Sequence, residues 1–454
     1  MRRARGAREV SVQLEENRTM IEELYALFKE CSGVCTDTRK ISAGVMFFAL
    51  KGENFDGNDF AVKALESGAK YAVVDRPSLQ GVTYNRTHKC IVVENTLQAL
   101  QQLAAYHRSQ FDIPVLGVTG TNGKTTTKEL LATVLSKKYN VLYTQGNLNN
   151  NIGAPLTLLG ISSKTQFAVI EMGASAPGEI RDLVKIVDPT CGVVTNVGKA
   201  HLLGFGSFEG VIRTKGELYD YLRQKGGTAF YNADNPHLCK MISNRPGLIS
   251  KPYGMSLQNA TIEGTTVDDP FLTIKMKNCI VPTKLIGKYN ADNVLCALFV
   301  GRNFGVSEKD AIAAIQAYTP SNNRSQFIRT ADNGVIVDAY NANPTSMAAA
   351  LSSFRDIDFP EKAVILGDML ELGESSLPEH KKTLQEAMEI AQTIYTVGDS
   401  FAAVTAEMNL TGKVKNFPTV EALKEFLEYA PLKGRTILVK GSNGTHLQDI
   451  VNSL

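Results

Sequence analysis

Short apolar runs that do not alternate with polar residues recur through the middle of the chain, and helical patterns separate them. Strands of a parallel sheet that is covered on both faces are expected to look this way. Helices between successive strands indicate a doubly wound sheet. The runs are Val115–Val118, Val141–Tyr143, Phe167–Ile170 and Gly192–Thr195. We therefore predict a central α/β domain with a mostly parallel sheet over residues 113–320.

The same alternation of strands and helices continues on both sides of this region. In the N-terminal part, strands are predicted at Val45–Leu50, Tyr71–Val74 and Ile91–Val93, and helices at Phe60–Ser67 and Thr96–Ser109. In the C-terminal part, strands are predicted at Val335–Ala339, Ala363–Leu366, Thr393–Val397 and Thr436–Val439. The pattern thus predicts a smaller α/β domain over residues 20–112 and a Rossmann-like domain over residues 321–454, on either side of the central domain.

Several shorter segments complete this organisation. Residues 1–19 are predicted to be a disordered extension, since helical periodicity begins near Met20 and the arginine-rich start lacks the apolar core of a signal peptide. The alternating segment Phe271–Met276 predicts a small antiparallel excursion, and a helix at Asn290–Gly301 closes the central domain. Thr319–Asn323 has the composition of a linker.

Composition narrows the class of protein. A hydrophobic content of 43% and a charged content of 21% are ordinary for a soluble globular protein. A net charge of +2 gives no reason to expect a nucleic-acid partner, and no apolar stretch approaches the roughly 20 residues that span a bilayer. The seven cysteines form no Cys-x-x-Cys pair, which favours reduced thiols over a zinc site. We expect a cytoplasmic monomer that acts on small molecules.

The stretch of residues 115–128 carries the most specific chemical signal. Gly120 and Gly123 permit backbone angles that other residues resist, and they let amide N–H groups approach an anion. The helix pattern that follows places its positive end at the same point. Lys124 can reach the outer phosphates, and the Thr125 hydroxyl can coordinate Mg²⁺. The sequence therefore predicts a site for ATP and Mg²⁺.

Three further residues are candidates for the chemistry. Glu171 directly follows an apolar run, so its carboxylate is predicted at the sheet edge that carries the phosphate loop, where it suits Mg²⁺. A helix-capping or solvated glutamate is the alternative. His201 follows the next strand end, although a lone histidine is more often structural. Lys215 is weak on pattern alone, because a bare lysine usually marks a solvated helix face.

Two clusters rich in asparagine occur at predicted strand ends. One spans Asn147–Asn151, before a helix-start pattern, and the other spans Asp338–Pro344 at the end of a C-terminal strand. Amide side chains beside a phosphate site could bind a polar substrate. Two such ends in two domains predict a site at the cleft between the domains.

Taken together, these motifs resemble those of the Mur ligases, the ATP-dependent amide ligases of peptidoglycan precursor synthesis. The resemblance extends from Thr36 to the C-terminus. A strict P-loop has glycine where this chain has Val118; the displaced Gly117 matches the variant of this family. The resemblance implies three domains, ATP, two Mg²⁺ sites, and a lysine carbamoylated at Lys215.

The resemblance also implies roles for individual residues. Lys124, His201 and Lys215 are predicted to be catalytic. The predicted metal ligands are Thr125, Glu171, His201 and Lys215. The predicted ATP-binding residues are Gly120, Thr121, Asn122, Gly123, Lys124, Thr125, Thr126, Asn290, Asn293, Arg324 and Asp338. The predicted substrate-binding residues are Thr38, Arg39, Asn147, Asn149, Asn150, Tyr340, Asn341 and Asn343.

Two motifs favour one branch of the family. Gly146–Gly153 and Leu366–Gly373, the latter followed by His380, imply ligation of D-Ala-D-Ala to UDP-N-acetylmuramoyl-tripeptide through an acyl phosphate. Three positions depart from the family pattern: Tyr289 in place of histidine, Asn323 in place of glycine, and Asn443 in place of arginine. The alternatives are a sister ligase that adds the third amino acid, a folate polyglutamate synthetase and, in a different class, an ATP-switched binding protein.

Overall fold

The computed structural model describes residues 19–79, 82–83, 89–266, 269–320, 324–359, 361–410 and 412–454. Most of the predicted N-terminal extension and part of the predicted linker, with Asn323, lie outside these residues. The chain divides into two compact units. One comprises residues up to Val115 with Leu142–Met172 and Asp182–Pro189, and the other comprises Leu116–Val141, Gly173–Arg181 and Thr190–Leu454. The boundaries of the three domains stay a prediction.

The N-terminal part forms a parallel sheet with the strand order β1-β2-β3-β6. Its elements are α1 (19–28), β1 (Val34–Cys35), β2 (Met46–Phe48), α2 (Ala61–Glu66), β3 (Tyr71–Val74), β4 (Ser78–Leu79), β5 (Val82–Thr83), β6 (Cys90–Val92) and α3 (Thr96–Ser109). The pair β4-β5 is antiparallel. Small side chains on α2, Ala61 and Ala64, let this helix pack closely on Phe47 and Ala72 of the sheet.

The central part forms a six-stranded sheet with the order β12-β11-β10-β7-β9-β8. Its elements are β7 (Val115–Thr119), α4 (Lys124–Leu135), β8 (Val141–Tyr143), α5 (Gly153–Leu158), β9 (Phe167–Glu171), α6 (Glu179–Val187), β10 (Cys191–Val194), α7 (Leu202–Phe205), α8 (Phe208–Lys225), β11 (Thr228–Asn232), α9 (Pro236–Ser243), β12 (Ile249–Tyr253), β13 (Thr261–Ile262), β14 (Thr273–Met276), β15 (Cys279–Pro282), α10 (Asn290–Asn303) and α11 (Glu308–Ala317). Every residue of β7, β9 and β10 is buried, which explains why these strands read as continuous apolar runs.

Strands β13, β14 and β15 form the antiparallel excursion that the alternating pattern predicts. Strands β11 and β12 were not predicted, and they extend the parallel sheet at one edge. Strand β12 is largely exposed and contains Pro252, a residue confined to edge strands because it lacks a backbone donor. An edge strand of this kind has no apolar run to reveal it.

The C-terminal part forms a second six-stranded sheet with the order β16-β17-β21-β18-β19-β20. Its elements are β16 (Gln326–Arg329), β17 (Gly334–Asp338), α12 (Pro344–Asp356), β18 (Lys362–Gly367), α13 (Ser376–Met388), β19 (Thr393–Val397), α14 (Asp399–Glu407), β20 (Lys415–Phe417), α15 (Val420–Tyr429) and β21 (Thr436–Lys440). Among the described strands of this sheet, only β16 pairs antiparallel with its neighbour.

Two apolar clusters cover the two faces of this second sheet. One contains Met347, Leu384 and Phe401 from α12, α13 and α14. The other contains Leu423 from α15 and Ile450 from the C-terminal turn. The sheet is thus doubly wound, as predicted for a Rossmann-like domain. Among the described residues, no helix is long and apolar enough to cross a membrane.

Candidate active site

The phosphate loop connects β7 to α4 and is held open by contacts with the segment after β10. Gly120 has φ +145° and Gly123 has φ +75°, both in the region that favours glycine. The Thr121 amide donates to the Asn196 carbonyl at 3.0 Å, and the Asn122 amide donates to Asn196 Oδ1 at 2.9 Å. These two contacts tie the loop to the segment after β10 and constrain its shape.

Packing adds a second reason for glycine at both positions. A Cβ at Gly120 would lie 2.0 Å from Thr195 Oγ1, and a Cβ at Gly123 would lie 2.7 Å from Asn293 Oδ1. Lys124 begins α4 and folds back over the loop, where its Nζ donates to the Gly120 and Thr121 carbonyls, both at 2.9 Å. An ammonium group held among loop carbonyls can turn toward a phosphate when one is present.

A buried hydrogen-bond chain supports the loop from behind. Thr127 Oγ1 donates to Asn293 Oδ1 at 2.9 Å, and Asn293 Nδ2 donates to Asn290 Oδ1 at 2.9 Å. Asn290 Nδ2 in turn donates to the Ile286 carbonyl at 2.7 Å and to Ser325 Oγ at 3.2 Å. Thr125 and Thr126 are also buried in the first turn of α4. The structure thus brings Asn290 and Asn293 to the phosphate loop; their contact with adenine stays a prediction.

Glu171 ends β9 and is nearly fully buried. Its backbone amide donates to Thr144 Oγ1 at 3.0 Å, and its Oε1 accepts from Asn149 Nδ2 at 2.7 Å. The neighbouring Asn150 Oδ1 accepts from the amide of Gly153, the first residue of α5, at 2.9 Å, and Asn147 is exposed. Within the asparagine cluster, the Asn149 amide thus orients the Glu171 carboxylate, whereas the Asn150 side chain holds the start of α5.

Lys215 lies on α8 and is 2% exposed. Its Nζ donates to the Ala174 carbonyl at 3.2 Å and lies 5.3 Å from the centre of the Phe205 ring. Burial, with the Lys124 charge nearby, holds the pKa of the Lys215 amine well below its ordinary value. This lysine is therefore a buried amine whose charged form is disfavoured, rather than the solvated residue that its sequence pattern suggests.

His201 stands in the left-handed region, with φ +48°, immediately before α7. Its Nδ1 contacts the carboxylate of Glu371, from the loop after β18. Close by, Lys199 Nζ donates to Glu379 Oε1 at 2.6 Å, and the Lys199 amide donates to Thr345 Oγ1 at 3.0 Å. The structure thus places His201 against an acid that sequence reasoning did not single out.

Glu371 is presented by a loop that His380 holds in place. The imidazole is fully buried: its Nε2 accepts from the Met369 amide at 2.9 Å, and its Nδ1 donates to the Ser376 carbonyl at 2.7 Å. Burial lowers the pKa of His380. The predicted Leu366–Gly373 motif is therefore a scaffold in which a neutral histidine fixes the backbone that carries Glu371.

The carboxyl end of β17 carries the second predicted cluster. Asp338 Oδ2 accepts from Lys440 Nζ at 2.6 Å. The guanidinium of Arg324 lies 3.6 Å from the centre of the Tyr340 ring, a close cation–π contact. The Asn341 carbonyl also accepts from Lys440, at 3.2 Å. Sequence reasoning missed Lys440; a lysine that ends a fully buried strand is the signal that could have identified it.

Asn343 connects this strand end to the phosphate loop. Its Nδ2 donates to Asn122 Oδ1 at 2.8 Å, while Asn122 Nδ2 donates to Asn343 Oδ1 at 3.4 Å. Asn343 also caps α12 in a reciprocal arrangement with Ser346. A residue predicted to bind substrate thus contacts one predicted to bind ATP.

In the N-terminal part, Thr38 and Arg39 begin a short 3-10 turn. Arg39 is exposed and makes a two-pronged contact with Asp37, at 2.9 and 2.8 Å. These hydrogen bonds lower the pKa of Asp37 to about 2. Within the described parts of the chain, no group of three or more His, Cys, Asp or Glu residues forms a ready metal cage.

A phosphate loop at the end of a parallel strand, beside a buried lysine, defines an α/β enzyme that uses a nucleoside triphosphate. Comparison with known proteins narrows this class. Family models described as Mur ligase middle domain, Mur ligase glutamate ligase domain and Mur ligase family catalytic domain match residues 118–301, 323–443 and 30–108. The chain belongs to the Mur ligase family.

Relatives and solved structures agree with this assignment. The UDP-N-acetylmuramoyl-tripeptide--D-alanyl-D-alanine ligase of Bacillus subtilis (strain 168) is 36% identical over 438 residues, 93% of each chain. That of Escherichia coli (strain K12) is 34% identical over 462 residues, 98% of each chain. A crystal structure of MurF from Acinetobacter baumannii is 30% identical with a TM-score of 0.82, covering 95% of this chain and 98% of that one. MurF ligase from Thermotoga maritima in complex with ADP is 26% identical with a TM-score of 0.78, covering 93% and 96%. The family resemblance and the three-domain α/β fold class are confirmed.

Proposed function

We propose that this protein is an ATP-dependent, ADP-forming ligase that joins D-Ala-D-Ala to UDP-N-acetylmuramoyl-tripeptide. The observation that carries the proposal is the phosphate loop, where conformation and packing both demand glycine and where Lys124 and Thr125 open a helix. The relatives that match along nearly the whole chain carry this activity in their names. Since all seven cysteines are free thiols, a reducing, cytoplasmic setting suits the protein.

The reaction would proceed in two steps. The terminal carboxylate of the tripeptide attacks the γ-phosphorus of ATP, the bond to the bridging oxygen breaks, and ADP leaves behind an acyl phosphate. The amine of D-Ala-D-Ala then attacks the acyl carbon. The tetrahedral intermediate expels phosphate and the nitrogen loses a proton, which gives the amide.

Phosphoryl transfer needs charge stabilisation and positioning more than covalent help. The loop amides and the α4 N-terminus would bind the phosphate oxygens. Lys124 would exchange its two carbonyl contacts for the outer phosphates. Asn122 would hold the loop shape through its contact with Asn343 while the substrates are aligned.

The residues present fit Mg²⁺, because a buried threonine hydroxyl and a carboxylate oriented by an amide are oxygen ligands of the kind it prefers. We propose Thr125, Glu171 and His201 as its ligands; His201 would use Nε2, since Nδ1 faces Glu371. When bound, Mg²⁺ supplies neutralisation of the phosphate charge. Addition to CO₂ requires an uncharged amine, and burial lowers the pKa of Lys215 in that direction, so we propose it as the carbamoylated residue.

A phosphate-release assay tests the proposal. Mg²⁺-ATP and UDP-N-acetylmuramoyl-tripeptide are supplied with and without D-Ala-D-Ala, and the mass of the product is measured by mass spectrometry. Release that requires the dipeptide, with a pentapeptide product, is the expected result. Release with a single amino acid and a shorter precursor would instead identify the sister ligase. No release in any combination would favour the ATP-switched binding protein.

A further inference from the structure

A buried lysine that is not among the predicted ATP-binding residues contacts one of those residues. Lys440 is the last residue of β21, and it is the register partner of Asp338, the last residue of β17, in the parallel pairing of these strands. Its side chain is 2% exposed. A lysine is rarely buried to this extent without partners that repay its lost hydration.

Those partners all lie in one short segment. Lys440 Nζ donates to Asp338 Oδ2 at 2.6 Å, to the Asp338 carbonyl at 3.5 Å and to the Asn341 carbonyl at 3.2 Å. One ammonium group therefore fixes both the carboxylate that ends β17 and the turn that follows it. An uncharged side chain of similar length would fill the space but leave these three oxygens without their donor.

The turn that Lys440 fixes carries Tyr340, whose ring lies against the guanidinium of Arg324. Arg324 and Asp338 are the two C-terminal residues that the family resemblance predicts to bind ATP. Lys440 thus contacts Asp338 directly and reaches Arg324 through the turn that carries the Tyr340 ring. Within the described residues, the side-chain hydrogen bonds of Asp338 are made by Oδ2 alone.

We propose that Lys440 is a positioning residue for nucleotide binding, which orients Asp338 and the Arg324–Tyr340 pair without touching ATP. The inference rests on the proposed function, because it takes Asp338 and Arg324 as nucleotide-binding residues. It gives Lys440 a role that the sequence patterns did not predict. Its effect should appear in the affinity for ATP rather than in the affinity for the dipeptide.

The test compares four full-length variants with the wild type: Lys440→Met, Lys440→Arg, the double variant Asp338→Asn/Lys440→Met, and Lys362→Met as the matched control. Lys362 is a half-buried lysine at the amino end of β18, the strand that pairs with β21, and donates to the Arg355 carbonyl at 2.9 Å. Each protein is titrated with the non-hydrolysable analogue AMPPNP and assayed for KM and kcat. Its melting temperature is also measured.

Lys440→Met is expected to weaken AMPPNP binding and raise the KM for ATP by about tenfold to a hundredfold, as the loss of charge-assisted hydrogen bonds would. The KM for D-Ala-D-Ala should stay within about twofold. Lys440→Arg should recover part of the ATP affinity, because it keeps the charge and donors. The double variant should recover thermal stability, since no carboxylate is left uncompensated, but not the ATP affinity.

Three results would overturn the inference. They are wild-type nucleotide affinity in Lys440→Met despite a lower melting temperature, an equal loss of affinity in Lys362→Met, and full recovery of affinity in the double variant. If Lys440→Met does not fold, the double variant and Lys440→Arg still decide the question. Failure of the proposed function is distinguishable, because a wild type that binds AMPPNP but ligates nothing would leave the binding comparison intact.

Discussion

Replacing Gly123 with alanine tests the phosphate loop by adding a single methyl group. The position has φ +75°, and the new Cβ would lie 2.7 Å from Asn293 Oδ1. That oxygen accepts the hydrogen bond from Thr127 Oγ1. The methyl group therefore forces the Asn293 amide to move and threatens the buried chain that holds α4 against α10.

Two costs add in this variant. A left-handed conformation costs an alanine about 1–2 kcal/mol. Displacing Asn293 forfeits a buried hydrogen bond worth about 1 kcal/mol. The expected total is roughly 2–3 kcal/mol, and because the loop itself must shift, the KM for ATP should rise by about tenfold or more.

The matched control is Gly226→Ala, at the C-terminal end of α8. Gly226 has φ +70°, nearly the same as Gly123, and a Cβ there would meet no atom within 4 Å. It should incur the conformational cost alone and leave the KM for ATP unchanged. Both variants are melted with and without AMPPNP and assayed for phosphate release.

The difference between the two variants is the informative quantity. If Gly123→Ala melts no lower than Gly226→Ala and keeps the wild-type KM for ATP, then the contact with Asn293 does not constrain the loop. The packing argument for glycine at this position would then be wrong, and only the backbone angle would remain.

Other consequences are testable with single variants. Lys124→Ala should lower dipeptide-dependent phosphate release by at least about a hundredfold with little loss of stability, and a fully active variant would contradict the phosphate-loop assignment. Asn149→Ala should raise the Mg²⁺ concentration for half-maximal activity by about tenfold, because the Glu171 carboxylate loses the amide that orients it; an unchanged Mg²⁺ titration would refute its role. His380 has a folded-state pKa below its ordinary value of 6.5, so the unfolded chain binds a proton that the folded chain resists, and stability should fall as pH drops below about 6.5. Melts of His380→Gln at pH 7.5 and 5.5 should show a smaller pH effect than the wild type, and an equal effect would count against this source.

The features that could be predicted from sequence have local causes. Strands β3, β8 and β19 and helix α3 have the bounds predicted from their apolar patterns, because burial on one or both faces determines those patterns. The phosphate loop is likewise local, since its glycines, lysine and threonine all lie within residues 120–125.

The contacts that could not be predicted from the sequence join residues that are far apart along the chain. Lys440 meets Asp338 102 residues away, and His201 meets Glu371 170 residues away. The buried strand before Lys440 marks an unusual lysine but does not indicate its partner, and nothing beside Glu371 indicates its contact with His201. Strand β12 was missed for a different reason: at an exposed edge, burial does not shape the sequence.

The paired amides of Asn122 and Asn343 limit how this protein can vary over evolution. Each side chain must offer one donor and one acceptor to the other, and Asn343 must also accept from the Ser346 amide. Aspartate at position 343 would still cap α12, but it would set oxygen against oxygen in one of the two contacts with Asn122. Serine would also cap the helix, yet it is too short to make both contacts. The two positions are 221 residues apart. A substitution at one of them should therefore be tolerated only together with a compensating substitution at the other.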